Sequence, residues 1–100
     1  MTVQINELSP NLFLCLYRSV GWDALGLDQI TKALDGSLAT FCAYDGDTPI
    51  GMARLIGDGG MSFYIKDFVV LPEYQRKGVG RTLMNAMKSG SWNSCSPVGR

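Results

Sequence analysis

The sequence predicts an α/β layered domain with a mostly antiparallel sheet and the element order β-α-α-β-β-β-α. Three observations carry that expectation. Several segments have the alternation or the β-branched content of strands, others have apolar residues at helical spacing, and short glycine turns join consecutive strands.

Val3 to Leu8 alternates apolar and polar residues and reads as the first strand. Ser9-Pro10 opens a helix, since Ser9 can cap it and Pro10 sits where a missing N–H costs nothing. Leu12, Phe13, Leu16, Tyr17 and Val20 form its apolar stripe, and Gly21 suits its end. Trp22 to Leu27 reads as a loop or short turn. Asp28 is the expected cap of a second helix with the stripe Ile30, Ala33 and Leu34 and a stop at Gly36. Two strands follow, Leu38 to Tyr44 and Pro49 to Ile56, joined by Asp45-Gly-Asp-Thr48, where Gly46 supplies a positive φ. Gly57-Asp-Gly-Gly60 is a second tight connection, leading into a long strand from Met61 to Leu71.

The most informative stretch comes next. Phe68-Val-Val-Leu71 has the content of a buried strand, and Pro72 ends it because proline has no N–H for a ladder. From Val79, apolar residues recur at helical spacing through Leu83, Ala86 and Met87. Gln75 to Gly80 therefore joins a strand to the first turn of a helix. The first N–H groups of a helix lack partners within it, and the macrodipole adds partial positive charge there. A phosphate fits such a place if the backbone can come close. Gly78 and Gly80 remove the side chains that would prevent this, and Arg76, Lys77 and Arg81 attract an anion from further away. The plainer reading is a turn whose glycines only make the bend. A P-loop is excluded by the lack of Gly-Lys-Ser/Thr; the dinucleotide Gly-x-Gly-x-x-Gly pattern and its later acid are also absent.

Composition narrows the class. One hundred residues make one domain, and an apolar fraction of 46% describes a globular chain with a modest core. No apolar run approaches a membrane span and the polar start is no secretory signal, so the expectation is a cytoplasmic protein without a membrane partner. There is no histidine, and Cys15, Cys42 and Cys95 form no Cys-x-x-Cys, which leaves zinc sites and Ser–His or Cys–His catalysis unsupported and no metal expected. Cys15 and Cys42 read as small core residues. Zero net charge hides an asymmetry: nine acids against four bases up to Glu73, net −5, then five bases and no acid, net +5. The basic end suits an anionic cofactor and the acidic remainder a cationic acceptor such as an amine, or the charges are plain solvated surface. Nucleic acid is not expected, because the basic cluster lacks interleaved aromatics.

Gln75-Arg-Lys-Gly-Val-Gly80 resembles the Gln/Arg-x-x-Gly-x-Gly/Ala pyrophosphate loop of the GNAT superfamily of acyl-CoA N-acyltransferases. Asp67-Phe-Val-Val-Leu-Pro-Glu-Tyr74 resembles that family's fourth strand and the turn after it. The element order is shared too, so the resemblance spans nearly residues 1–90, the N-terminal portion of the fold. It implies acetyl-CoA as the donor and a primary amine, small-molecule or peptide, as the acceptor, with direct transfer in a ternary complex. It also implies that Gln75, Arg76, Lys77, Gly78, Val79, Gly80 and Arg81 hold the pyrophosphate, and that the backbone of Phe68, Val69 and Val70 pairs with the pantetheine amides.

An acid at or near Asp67 often serves as base in this family, and period two puts Asp67 on the face of Ile65 and Phe63. The alternative is an Asp paired with a neighbouring base. Glu73 reads as structural or solvated, and Met84 and Met87 as packing residues. Tyr17, Arg18 and Trp22 fall where the family shapes its acceptor pocket, although aromatics at helical spacing also read as core.

The family continues with a fifth strand parallel to the fourth, a helix that often carries a tyrosine acid, and two more strands. Here residues 91–100 are rich in Ser, Pro and Gly without a period and read as an irregular tail. The expected results are an open edge on the fourth strand, a homodimer through that edge or through the tail with Trp92 as anchor, and weak or absent transfer. A non-catalytic acyl-CoA-binding module and a dimerising interaction protein are the rival readings.

Overall fold

A computed structural model describes residues 1–21, 26–58 and 60–90. The strands are β1 (Thr2–Ile5), β2 (Ala39–Asp45), β3 (Thr48–Gly57) and β4 (Phe63–Val70), and the helices are α1 (Pro10–Ser19), α2 (Leu27–Asp35) and α3 (Val79–Ser89). A single 3₁₀ turn, Pro72–Tyr74, lies between β4 and α3. The strands form one antiparallel sheet in the order β1-β2-β3-β4, so the expected class and element order hold.

Each face of the sheet has its own apolar layer. On one, Phe41, Ala53 and Leu55 pack against Val79, Leu83 and Met87 of α3. On the other, Cys42, Met52 and Val69 pack against Phe13 and Leu16 of α1 and Ile30 of α2. Burial of side chains such as Phe41, Phe13 and Leu83 contributes roughly 1.5–3 kcal/mol each. The helix stripes read from the sequence are the buried faces. Cys42 is buried, and burial pushes its thiol pKa up. Cys15 is exposed, off the stripe of α1, and is not a core residue.

Several boundaries differ from expectation, each for a local reason. β1 ends at Ile5 instead of Leu8 because Asn6 turns the chain at φ +62°. Asn6 donates its N–H to the Thr40 carbonyl at 2.8 Å and accepts the Thr40 N–H on Oδ1 at 3.0 Å. Asparagine tolerates this backbone region better than most residues. α2 is capped by Gly26, and Asp28 instead lies in its first turn, where a carboxylate suits the helix dipole. Ser9 caps α1 as expected, accepting the Leu12 N–H at 3.2 Å.

Two glycines are required by close approach. A Cβ on Gly51 of β3 would lie 3.0 Å from both the Val69 carbonyl oxygen and Val79 Cγ1, so its absence lets the start of α3 settle on the sheet. At Gly57, φ +146° and overlap with the Ser62 carbonyl oxygen rule out a side chain. The following Asp58 carboxylate accepts the N–H groups of Gly60, Met61 and Ser62 at 2.8, 2.9 and 3.1 Å. Those bonds lower its pKa, so its contribution to the turn is present above the ordinary carboxylate range and is lost as pH falls through the lowered value.

Candidate functional site

The middle of β4 is not a regular strand. Met52 pairs with Val69, but Arg54 pairs with Lys66, so Asp67 and Phe68 together oppose the single residue Ala53. This is a β-bulge, with Asp67 at φ +54°. Two residues opposing one break the alternation of facing. Ile65 and Phe63 line the α3 side of the sheet, whereas the Asp67 carboxylate reaches Arg54, which bonds to α2 on the opposite side. Asp67 therefore does not share a face with Ile65 and Phe63, because the bulge inserts the extra residue that period two cannot anticipate.

Arg54 gathers three elements. Its Nε donates to Asp67 Oδ2 at 2.7 Å, and its Nη1 donates to the Ala33 carbonyl at 3.0 Å and to Ser37 Oγ at 3.1 Å. The ion pair is largely enclosed, with the Arg54 side chain 12% exposed and that of Asp67 16%. Asp67 is thus paired with a neighbouring base, the alternative that the sequence left open. Arg54 was legible only as a lone charge inside the apolar run Ile50-Gly-Met-Ala-Arg-Leu-Ile56. Such a charge is rarely enclosed without partners.

The glycine loop follows at the C-terminal end of β4. Leu71 donates its N–H to the Ile50 carbonyl at 2.9 Å, which closes the strand, and the 3₁₀ turn redirects the chain. Gln75 Nε2 donates to the Val70 carbonyl at 3.1 Å, so the Gln75 side chain ties the loop to the strand. Tyr74 donates its hydroxyl to Asp45 at 3.1 Å, which raises the phenol pKa, and the Lys77 ammonium lies 5.9 Å from the Tyr74 ring centroid. Arg76 at φ +67° and Gly78 at φ +88° both take the left-handed conformation.

Gly78 caps α3 with no side-chain bond, and the first turn of that helix holds no acid. Arg76, Lys77, Gly78 and Arg81 are exposed. Space is open where a Gly78 Cβ would stand, with no heavy atom within 4 Å. Gly80 differs: a Cβ there would lie 3.5 Å from the Phe68 ring, an ordinary contact that alanine could make. Phe68 and Val70 pack on the α3 layer and Val69 on the α1–α2 layer, so all three side chains serve the core as expected. Val79 is buried below the loop, so its contribution to the loop is through its backbone.

Among the described residues β4 has no neighbour on its outer side. Its first half carries exposed Phe63, Tyr64 and Ile65, at 46%, 62% and 43%. Leu55, Phe63, Ile65, Met84 and Met87 line an open apolar cleft of about 300 Å³ between that half of the strand and the end of α3. On α1, Tyr17 stacks on Phe13 with ring centroids 5.5 Å apart and packs on the core, while Arg18 is exposed. Trp22, Trp92, Cys95 and the tail 91–100 lie outside the described residues. Among the described residues no group of three or more His, Cys, Asp or Glu side chains is placed to hold a metal, and no helix is long and apolar enough to cross a membrane.

A domain described as the Acetyltransferase (GNAT) family matches residues 6–89. A ycf52-like protein of Prochlorococcus marinus, described as an uncharacterized N-acetyltransferase, is 36% identical over 74 residues, covering 70% of this chain and 41% of its own. The GNAT family acetyltransferase SP0256 of Streptococcus pneumoniae superposes with a TM-score of 0.77 at 37% identity, over 88% of this chain and 65% of its own. An aminoglycoside 6′-N-acetyltransferase solved with coenzyme A shares the fold at a TM-score of 0.72 and 16% identity, over 89% of this chain and 54% of its own. The chain thus spans less than half the length of the curated relative and about two thirds or less of these two solved ones. The match over residues 6–89 takes in strands β2 and β3, the bulged β4 and the glycine loop, and the chain belongs to the GNAT family of acetyltransferases.

Proposed function

We propose that the chain binds acetyl-CoA through the glycine loop and directs the acetyl group to a primary amine. The observation that carries this reading is the start of α3, a helix with neither a capping side chain nor an acid in its first turn, opening on Gly78 among Arg76, Lys77 and Arg81. Free N–H groups, the positive end of a dipole and nearby cations make up the donor set that a pyrophosphate requires. The coenzyme seen with the aminoglycoside 6′-N-acetyltransferase supports the same assignment by likeness of fold.

Acetyl-CoA supplies the acyl group as a thioester. In the transfer, the amine nitrogen bonds to the acyl carbon, the carbon–sulfur bond breaks with its electron pair on sulfur, the coenzyme A thiolate takes a proton from water, and the amine proton must leave. Arg54 engages Oδ2 of Asp67, and in this reading Oδ1 accepts that proton, directly or through water. The backbone of Phe68, Val69 and Val70 offers strand pairing to an extended amide-bearing arm, as an open edge does, with the Val70 carbonyl shared with or released by Gln75 Nε2. The chain supplies orientation and electrostatics without a covalent intermediate.

The test is Asp67→Asn assayed with an amine that the parent acetylates. Turnover is expected to fall by about tenfold or more, with acetyl-CoA affinity changed less than about twofold. Equal turnover of the two proteins from pH 6 to 9 would take Asp67 out of the mechanism.

The exposed Phe63, Tyr64 and Ile65 favour a second reading alongside the first, in which the edge of β4 pairs with a second copy of the chain. Light scattering is then expected to give a dimer, and Ile65→Lys a monomer. A parent that stays monomeric at high micromolar concentration refutes the pairing.

A further inference from the structure

We infer that Arg54 is a positioning residue, which sets the bulged backbone and carboxylate of Asp67 on β4 and locks them to the end of α2. The inference rests on the reading of Asp67 under Proposed function for its catalytic meaning, and on geometry alone for the clamp itself.

The guanidinium is used as a fork. Nε holds Oδ2 of Asp67 at 2.7 Å, while Nη1 holds the Ala33 carbonyl and Ser37 Oγ at 3.0 and 3.1 Å. Ser37 Oγ also donates to the Ala33 carbonyl at 2.8 Å, so the α2 end of the clamp is a closed triangle. Ala33 lies in the last turn of α2, where free carbonyls and the negative end of the dipole favour a cation. A lysine has one nitrogen and cannot serve both ends with this geometry.

What the clamp holds is a conformation that β4 would not otherwise keep. Asp67 is at φ +54° and the ladder slips by one residue beside Arg54 itself. A backbone in that region persists when its surroundings over-determine it. With Oδ2 tied to Arg54, the carboxylate plane is oriented and Oδ1 has a defined direction. The bulge also connects to the anion loop, because the ring of Phe68, the second bulge residue, lies directly beneath Gly80. Loop, bulge and α2 are thereby joined through Phe68 and Arg54.

The experiment is residue-resolved amide hydrogen exchange on the full chain and on Arg54→Lys, well below the melting temperature of both. Exchange at residues 66–69 and at 34–37 is expected to rise together by about tenfold or more, with Leu83 and Met87 of α3 changed less than about twofold. If Arg54→Lys does not fold, Ser37→Ala removes the two bonds of Ser37 Oγ at the α2 end, leaves Arg54 bonded to the Ala33 carbonyl and to Asp67, and is expected to raise exchange at Phe68, on a different element, by about threefold. A response confined to α2, or none at either place, overturns the clamp. In turnover assays Arg54→Lys should lower kcat by about tenfold while leaving KM for acetyl-CoA within about twofold, and its loss should not add to that of Asp67→Asn. Full additivity, or a raised KM at unchanged kcat, refutes the positioning role. If neither protein binds acetyl-CoA in a direct titration, the proposed function falls, and the exchange result still decides the clamp.

Discussion

Gly78→Val is expected to weaken acetyl-CoA binding by about tenfold or more while the chain stays folded. No heavy atom lies within 4 Å of the place where its Cβ would be, so the Cβ itself meets open space. The obstacle is the backbone. Gly78 holds φ +88°, ψ +4°, and a β-branched residue there costs about 1–2 kcal/mol. The strained residue relaxes toward negative φ and turns the first N–H groups of α3 away from their common direction. The added methyl groups also occupy the space over the loop that a phosphate needs. Gly80→Ala is the control, because its Cβ makes only an ordinary contact with Phe68. Titration calorimetry of both variants checks the difference, and unchanged affinity for folded Gly78→Val would remove the phosphate assignment.

The second large effect is on the fold. Gly51→Val should cost about 3 kcal/mol, at the upper end of the usual penalty for overpacking. Its Cβ alone would lie 3.0 Å from the Val69 carbonyl oxygen and 3.0 Å from Val79 Cγ1, and the two methyl groups reach further. The carbonyl cannot yield without breaking the β3–β4 ladder, so α3 must lift at Val79 instead. For a chain of this size the melting temperature should drop by about 10 °C or more. Because Val79 is the first residue of α3, the same change should disturb the glycine loop and reduce acetyl-CoA affinity in the folded fraction. Thermal unfolding followed by circular dichroism checks the first effect. A melting temperature within about 2 °C of the parent would show that the contact at Gly51 is not tight.

How much could be read before any geometry depended on how local the cause was. Strand β4, its proline stop and the start of α3 were legible because apolar period, proline and glycine act within a few residues. The ends of β1 and α2 were not. Asn6 stops β1 through two bonds to Thr40, a residue of the neighbouring strand, and Gly26 supplies an extended backbone where Asp28 offered the better side chain. Facing along β4 failed at Asp67 for a related reason. A bulge is a property of the pair β3–β4, and period two read along one strand cannot contain it. The same bulge brings Asp67 to Arg54, so the ion pair of the candidate site was hidden by the irregularity that creates it. The basic glycine loop was legible throughout, since the residues that cap α3, open its backbone and charge it are consecutive.

Native mass spectrometry of the purified chain with acetyl-CoA decides whether the glycine loop is a coenzyme site. A coenzyme site at the glycine loop gives a one-to-one complex of the folded chain with acetyl-CoA, much reduced in Gly78→Val and retained in Gly80→Ala. A folded chain that shows no complex at millimolar acetyl-CoA, or a complex equally strong in Gly78→Val, would contradict it.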